Sequence, residues 1–145
     1  SSVVIKERIV KEDPKEMGIR KALNFGHTIG HALESLSFLK NNPILHGHAV
    51  AAGIITELYV SYKVSGMPVE IVRQVTNFIK DHYPAFVFSC DDYETLYEFM
   101  THDKKNEGGH IFFTLLGNIG DIRINQEVSK DVVLESLDFY RENLY

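Results

Sequence analysis

Apolar residues recur at helical spacing over most of the chain. The spacing is clear where Val69, Val72, Val75 and Ile79 share one helical face. Glycine and proline mark where such stretches end, as Gly66 and Pro68 do. The first eleven residues predict a short helix, which is broken at Pro14. Beyond it, the sequence predicts helices over about residues 19–36, 46–64, 68–82, 92–102 and 129–143.

The hydrophobic period changes after residue 110. Two runs of β-type residues, 111–116 and 121–125, flank the turn sequence Gly117-Asn118-Ile119-Gly120, which is typical of a hairpin. We find no internal repeat and no low-complexity segment. The sequence therefore predicts a single, mainly α-helical domain over residues 1–145, with one small β-hairpin near its C-terminal end.

Composition narrows the class of protein. The 145 residues carry a net charge of −5 without a Lys/Arg cluster, which disfavours a nucleic-acid-binding surface. No apolar run approaches the roughly 20 residues that span a membrane, and the first residues lack the pattern of a signal peptide. The single cysteine, Cys90, is expected to be a half-buried structural side chain. We therefore expect a cytoplasmic domain that binds neither nucleic acid nor membrane.

A polar stripe on the first long helix differs from an ordinary solvated face. At about 100° per residue, five polar residues fall within an arc of about 80°: Arg20, Asn24, His27, His31 and Glu34. Gly26 and Gly30 lie beside this stripe, and each costs a helix about 0.5–1 kcal/mol relative to alanine. We therefore expect another helix or a ligand to approach the backbone closely there.

Three histidines of this region are candidates for metal binding. His27 and His31 are four residues apart, so both can ligate one ion from a single helix face. His46 begins the next helix, on the face that also carries Gly53 and Glu57, and can meet the first helix across an antiparallel pair. Imidazoles that converge from two helices suit zinc or cobalt.

The remaining histidines are predicted to lie outside this site. His48 points about 200° away from His46 on the helical wheel. His82, His102 and His110 stand beside turns and charges, so we expect them to be ordinary surface residues.

A lysine pair precedes the hairpin. Composition alone favours a solvated loop, but Lys104 and Lys105 can also bind phosphate or carboxylate as point charges. The chain has no glycine-rich phosphate loop, no nucleophile elbow and no dinucleotide fingerprint. We therefore expect any dinucleotide cofactor to be bound by a fold that this chain does not contain.

Taken together, these motifs resemble the metal-binding domain of the 3-dehydroquinate synthase family. The resemblance is carried by residues 20–34 (RKALNFGHTIGHALE) and by the following Leu45-His46-Gly47-x-Ala49-Val50. It extends to Lys6 and Asp13 upstream and to Asp103-Lys104-Lys105 before the hairpin. Sister sugar-phosphate cyclases, such as 2-deoxy-scyllo-inosose synthase, share much of the pattern and stay open as an alternative. A non-catalytic metal-binding helical module is the second alternative.

The resemblance implies a two-domain enzyme with a divalent metal and NAD as cofactors. Its N-terminal half, absent from this chain, would bind NAD, and the helical C-terminal half would supply metal and substrate contacts. The implied reaction converts 3-deoxy-arabino-heptulosonate 7-phosphate into 3-dehydroquinate and phosphate, in the shikimate pathway of aromatic amino acid biosynthesis. It proceeds by transient oxidation with NAD, phosphate elimination, re-reduction and aldol cyclisation. The enzyme would thus be a carbon–oxygen lyase and a homodimer, and the isolated chain would be inactive.

The same resemblance implies a role for each site residue. It makes His27 and His46 metal ligands, with a glutamate of the N-terminal half as the third. His31 becomes an active-site residue near the metal, which replaces the ligand role that spacing alone favours. The implied catalytic and substrate-contacting residues are Lys6, Arg20, Asn24 and His31, and at least one of Lys104 and Lys105 also contacts substrate. His48 stands where the family usually has glutamate, a change we interpret as tuning.

Overall fold

The fold is built around one long central helix. The computed structural model describes residues 25–103, 111–118 and 120–144 of the chain. In chain order these form α1 (His27–Leu39), α2 (His46–Ser65), α3 (Val69–His82), a single 3₁₀ turn (Cys90–Asp92), α4 (Tyr93–Asp103), β1 (Ile111–Asn118), β2 (Asp121–Val128) and α5 (Lys130–Leu144). The two strands pair antiparallel. The predicted fold class, mainly α-helical with one hairpin, is confirmed.

The central helix is α2, which packs against α1, α3, α5 and β1. Its buried positions surround the helix axis and are mostly small or aliphatic, including Ala49, Ala52, Ile55 and Val60. A helix with apolar residues around nearly its whole circumference is buried by neighbouring elements on nearly all sides. Within the described ranges, no helix is both long enough and apolar enough to cross a membrane.

The main hydrophobic core joins every layer of the fold. Leu33 of α1, Ile55 of α2, Leu96 of α4, Phe113 of β1 and Leu137 of α5 are all buried in it. A smaller cluster lies between α2 and α3 and is formed by Leu58, Met67 and Val72. The burial of these side chains is the main force that holds the short helices in place.

The ends of the first two helices carry recognisable stop signals. α1 ends in a Schellman motif, in which the Asn42 N–H donates to the Ser37 carbonyl and the Asn41 N–H to the Phe38 carbonyl. Asn41 takes the left-handed conformation that this motif requires, with φ 56°. α2 ends at Gly66, which has φ 75°. Both connections are short, so consecutive helices must pack side by side.

The predicted start of the first helix is wrong. α1 begins at His27, because Gly26 has φ +84° and an α-helix cannot continue through a left-handed residue. The helix that contains His27 therefore does not extend back through Gly26, as the helical wheel assumed. Residues 1–24, including the predicted helix before Pro14, lie outside the described residues.

The other predicted elements are confirmed, with small shifts at their ends. α2, α3, α4 and α5 lie within a residue or two of the predicted bounds. The strands are longer than predicted, and their register shifts twice, between Phe113 and Leu115, opposite Asn125 with its φ of 53°, and between Leu116 and Asn118. The prediction for Cys90 is wrong, because this residue lies in the 3₁₀ turn with its side chain exposed.

Polar contacts tie α5 to the α4 region. The Tyr93 hydroxyl donates to Asp138 Oδ1 at 2.5 Å and accepts a hydrogen bond from Arg141. Burial, and then the bond to Asp138, raises the pKa of Tyr93 to about 12. The Phe86 N–H donates to the Tyr140 hydroxyl at 2.8 Å, deep in the core. These bonds satisfy polar atoms that burial would otherwise leave without a partner.

Candidate functional site

Three histidines form a compact cluster where α1 meets α2. The ring centroids of His27 and His31 are 5.7 Å apart, those of His27 and His46 are 5.9 Å apart, and those of His31 and His46 are 5.8 Å apart. The triangle is therefore nearly equilateral. His27 is half-buried, whereas His31 and His46 are exposed. The structure thus brings together the three imidazoles that the sequence predicted to converge.

The antiparallel packing of α1 and α2 creates this cluster. Near the start of α1, Gly26 contacts Ile54; one turn later, Gly30 contacts Ala49 and Val50. The two helices therefore run in opposite directions, and the first residue of α2, His46, lies beside the middle of α1. His27 and His31 reach the same place because residues four apart share one helix face.

Glycines allow the two helices to approach each other backbone to backbone. A Cβ atom on Gly53 would lie 1.9 Å from the carbonyl oxygen of Gly26 and 2.8 Å from the backbone nitrogen of Gly30. A Cβ on Gly30 would lie 3.0 Å from the Ala49 carbonyl oxygen. The predicted close approach at Gly26 and Gly30 is confirmed, and the approaching group is another helix. No side chain larger than hydrogen fits at Gly53 without movement of the backbone.

The start of α1 is held by a carboxylate of α2. Glu57 is fully buried, and its two oxygens accept hydrogen bonds from the Gly26 and Ile29 N–H groups, both at 3.0 Å. These are the two N–H groups that a capping box satisfies from within its own helix, whereas here one side chain of the neighbouring helix satisfies both. A carboxylate is also favourable at the positive end of a helix. Glu57 thus fixes the turn from which His27 projects.

A second carboxylate contacts the histidine cluster directly. His46 Nδ1 lies 3.1 Å from Glu34 Oε1. The backbone of Glu34 is itself tied to the connection between the helices, because the Ser37 hydroxyl donates to the Glu34 carbonyl at 2.6 Å and accepts from the Ile44 N–H at 3.2 Å. Glu34 and His46 are therefore joined both by their side chains and through a hydrogen-bonded turn.

The donor set fits a borderline divalent metal. Imidazole nitrogen suits zinc and cobalt, and a metal ligand often has a carboxylate on its other ring nitrogen, as His46 does. Among residues 25–103, 111–118 and 120–144, no group of three His, Cys, Asp or Glu side chains is placed to bind one metal ion. A complete coordination shell therefore needs a donor from outside these residues or an inward movement of the rings.

The structure places several other predicted residues. His48 lies away from the cluster, with its ring edge against Tyr83 at 5.7 Å between centroids. His82 and His102 are exposed, as predicted, and His82 stacks on Phe78. Six residues with predicted roles lie outside the described part of the chain: Lys6, Arg20, Asn24, Lys104, Lys105 and His110.

The functions of two glutamates were not evident from the sequence. Glu34 was predicted as part of the polar stripe, and Glu57 as a member of the His46 face. Glu57 carried a usable signal, since it is the only acidic residue of α2. Glu34 carried a weaker one, because it lies seven residues after His27 on the same helix face.

Solved structures of 2-deoxy-scyllo-inosose synthase resemble this fold. A 2-deoxy-scyllo-inosose synthase complexed with carbaglucose-6-phosphate, NAD⁺ and Co²⁺ matches with a TM-score of 0.63 and 25% identity, covering 84% of this chain and 33% of that chain. Another 2-deoxy-scyllo-inosose synthase structure matches with a TM-score of 0.59 and 22% identity, covering 90% of this chain and 34% of that chain, and supports the fold alone. The helical architecture is thus that of a part of the sugar-phosphate cyclases.

Sequence comparison identifies the family within that class. Residues 1–106 match the family described as 3-dehydroquinate synthase C-terminal. The chain is 72% identical over 142 residues to a 3-dehydroquinate synthase of Parabacteroides distasonis, covering 98% of this chain and 40% of the relative. It is 37% identical over 145 residues to one of Oceanobacillus iheyensis, covering 99% of this chain and 39% of the relative. The chain belongs to the 3-dehydroquinate synthase C-terminal family and spans about two fifths of the length of these relatives.

Proposed function

We propose that this chain is the metal- and substrate-binding part of a 3-dehydroquinate synthase. The complete polypeptide would convert 3-deoxy-arabino-heptulosonate 7-phosphate into 3-dehydroquinate and phosphate, as a carbon–oxygen lyase of the shikimate pathway. The observation that carries this proposal is the cluster of His27, His31 and His46, in a chain 72% identical to a 3-dehydroquinate synthase. A helical module without catalysis would not need three exposed or half-exposed imidazoles packed at one helix junction.

Identity favours this substrate over that of the sister cyclases. The structural match to 2-deoxy-scyllo-inosose synthase is 25% identical, against 72% for the dehydroquinate synthase relative. The shared fold does not decide the substrate, because substrate choice depends on side chains that differ between enzymes of one fold.

His27 and His46 are the proposed ligands of a zinc or cobalt ion. Support comes from their nitrogen donors, from the carboxylate on His46 Nδ1 and from the Co²⁺ in the structure of the related cyclase. When bound, such an ion polarises the oxygen atoms of a substrate hydroxyl or ketone. The third ligand is proposed to be a glutamate of the N-terminal half.

The other site residues of this chain would bind substrate and move protons. His31 is exposed beside both proposed ligands, and an imidazole exchanges protons near neutral pH. Arg20 offers a bidentate fork for the substrate carboxylate, and Lys6 offers a compact charge for oxygen atoms. Asn24 and the pair Lys104 and Lys105 are proposed to complete the substrate contacts.

The rest of the enzyme is proposed from the family. An N-terminal domain of the same polypeptide would bind NAD, and residues 1–145 would form a single domain beside it. We further propose a cytoplasmic homodimer. The NAD⁺ in the related cyclase structure supports the cofactor, and the 40% coverage of the dehydroquinate synthase relative leaves room for the domain.

Phosphate release by the full-length enzyme tests the function. The purified protein, with NAD and zinc or cobalt, is assayed with 3-deoxy-arabino-heptulosonate 7-phosphate and, in parallel, with glucose 6-phosphate. We expect phosphate and 3-dehydroquinate from the first substrate alone. Turnover of glucose 6-phosphate instead would favour the sister cyclase, and turnover of neither would favour the non-catalytic module.

A further inference from the structure

The contact between Glu34 and His46 is more than a surface ion pair. The His46 side chain is 57% exposed, whereas that of Glu34, on α1, is only 22% exposed. Isolated exposed ion pairs contribute little to stability, so the fold has little need of this one. The contact nevertheless involves one of the three rings of the histidine cluster, whose centroid lies 5.9 Å from that of His27 and 5.8 Å from that of His31.

The position of Glu34 relative to His46 is built into the backbone. Ser37 is fully buried and joins the Glu34 carbonyl to the Ile44 N–H through its hydroxyl, two residues before His46. The Schellman motif at Asn41 closes the same connection. An ordered turn therefore places the Glu34 carboxylate beside the His46 ring.

We infer that Glu34 is a positioning residue for His46, an inference that rests on the proposed function. A carboxylate oxygen accepts, so His46 Nδ1 carries the proton and donates it. In the neutral imidazole, this tautomer leaves the lone pair of Nε2 free for a metal ion. Glu34 thus selects the ligating tautomer and fixes the ring orientation, without binding the metal itself.

Metal affinity of the full-length enzyme tests this role. The dissociation constants of zinc and cobalt are measured by chelator competition for the wild type, Glu34→Ala and Glu34→Gln. We expect Glu34→Ala to weaken binding by about 10–100-fold, the usual effect of losing such a partner. Glu34→Gln keeps an oxygen that accepts from Nδ1, so we expect affinity within about threefold of the wild type, and an absorption spectrum of the cobalt enzyme close to the wild-type spectrum.

A matched control separates this effect from the general loss of a surface carboxylate. Glu94 forms an exposed pair with Lys130 on α5, so Glu94→Ala removes the same group elsewhere. We expect wild-type metal affinity for this control.

Three other results would each overturn the inference, and they can be distinguished from one another. Wild-type affinity in Glu34→Ala shows that the carboxylate does not position the ring. A loss in Glu34→Gln as large as in Glu34→Ala, with an altered cobalt spectrum, makes Glu34 a direct ligand. A wild-type enzyme that binds neither metal overturns the proposed function and this inference together.

Discussion

At the scale of single residues, the three clustered histidines have different surroundings. His46 is held by Glu34, and His27 projects from the turn that Glu57 caps. His31 is exposed and lies one helical turn after His27. A ring whose second nitrogen contacts a carboxylate, as that of His46 does, suits a metal ligand.

Replacing either proposed ligand should remove the metal. For His27→Ala and His46→Ala in the full-length enzyme, we expect loss of bound zinc or cobalt and no measurable turnover, because each variant lacks one of about three protein ligands. Elemental analysis of the purified variants measures this directly. Full metal occupancy in either variant would contradict the assignment of that histidine.

Replacing His31 should separate turnover from metal content. We expect His31→Ala to keep its metal and to lose about 10²–10⁴-fold in turnover, the usual contribution of a general acid–base group. Metal analysis and kcat are measured on the same preparation. A variant that has lost its metal would instead support His27 and His31 as the ligand pair that their spacing favours.

Removing the buried carboxylate should destabilise the protein. We expect Glu57→Ala to lower the free energy of unfolding by about 2–6 kcal/mol, because two buried N–H groups lose their acceptor at about 1–3 kcal/mol each. Chemical denaturation followed by circular dichroism measures the change. Glu135→Ala is the control, since this carboxylate is exposed and we expect an effect within about 0.5 kcal/mol. Equal stability of the two variants would show that the cap is dispensable.

At the scale of elements, the site depends on how closely α1 and α2 approach. Gly53 stands where the two backbones touch, so the distance between the helices is set by the absence of a side chain. The same contact brings His46 of α2 level with the histidines of α1. Gly53 therefore links the packing of α1 and α2 to the geometry of the histidine cluster.

A methyl group at that contact should force the helices apart. We expect Gly53→Ala to lower the free energy of unfolding by about 3 kcal/mol or more, the upper range of overpacking, because neither backbone can yield easily. We also expect weaker metal binding, because His46 moves away from His27. Denaturation and chelator competition measure the two effects.

Gly47 offers a matched control on the same helix. A Cβ at Gly47 would meet nothing within 4 Å, so Gly47→Ala should be neutral or slightly stabilising. If both alanine variants have wild-type stability, the close approach of the backbones does not limit the fold.

At the scale of the whole molecule, the chain covers 40% of the length of a relative to which it is 72% identical. Since the third metal ligand is proposed to come from the N-terminal half, we expect the chain alone to bind zinc weakly. Addition of the separately produced N-terminal half with NAD should tighten binding and restore some turnover. Isothermal titration with and without that half measures this. Equally tight binding in both titrations would place the third ligand within this chain.

Much of the fold could be predicted from the sequence because it depends on local patterns. Apolar spacing defines α2 through α5, and β-type runs around a glycine turn define the hairpin. The convergence of His27, His31 and His46 also followed from local periodicity, once two helices were assumed to pack antiparallel. The signal for a close helix contact was equally local, since Gly26 and Gly30 are poor helix formers.

Only the tertiary structure decided where α1 begins and how its histidines are held. The helix starts at His27 because Glu57, about 30 residues later, caps it, and no local pattern contains that bond. Glu34 meets His46 because Ser37 and the Schellman motif close the turn between them. The sequence by itself determined which residues could form the site. Contacts between residues distant in the chain decided their arrangement, because hydrogen bonds and packing across helices outweigh local helix propensity.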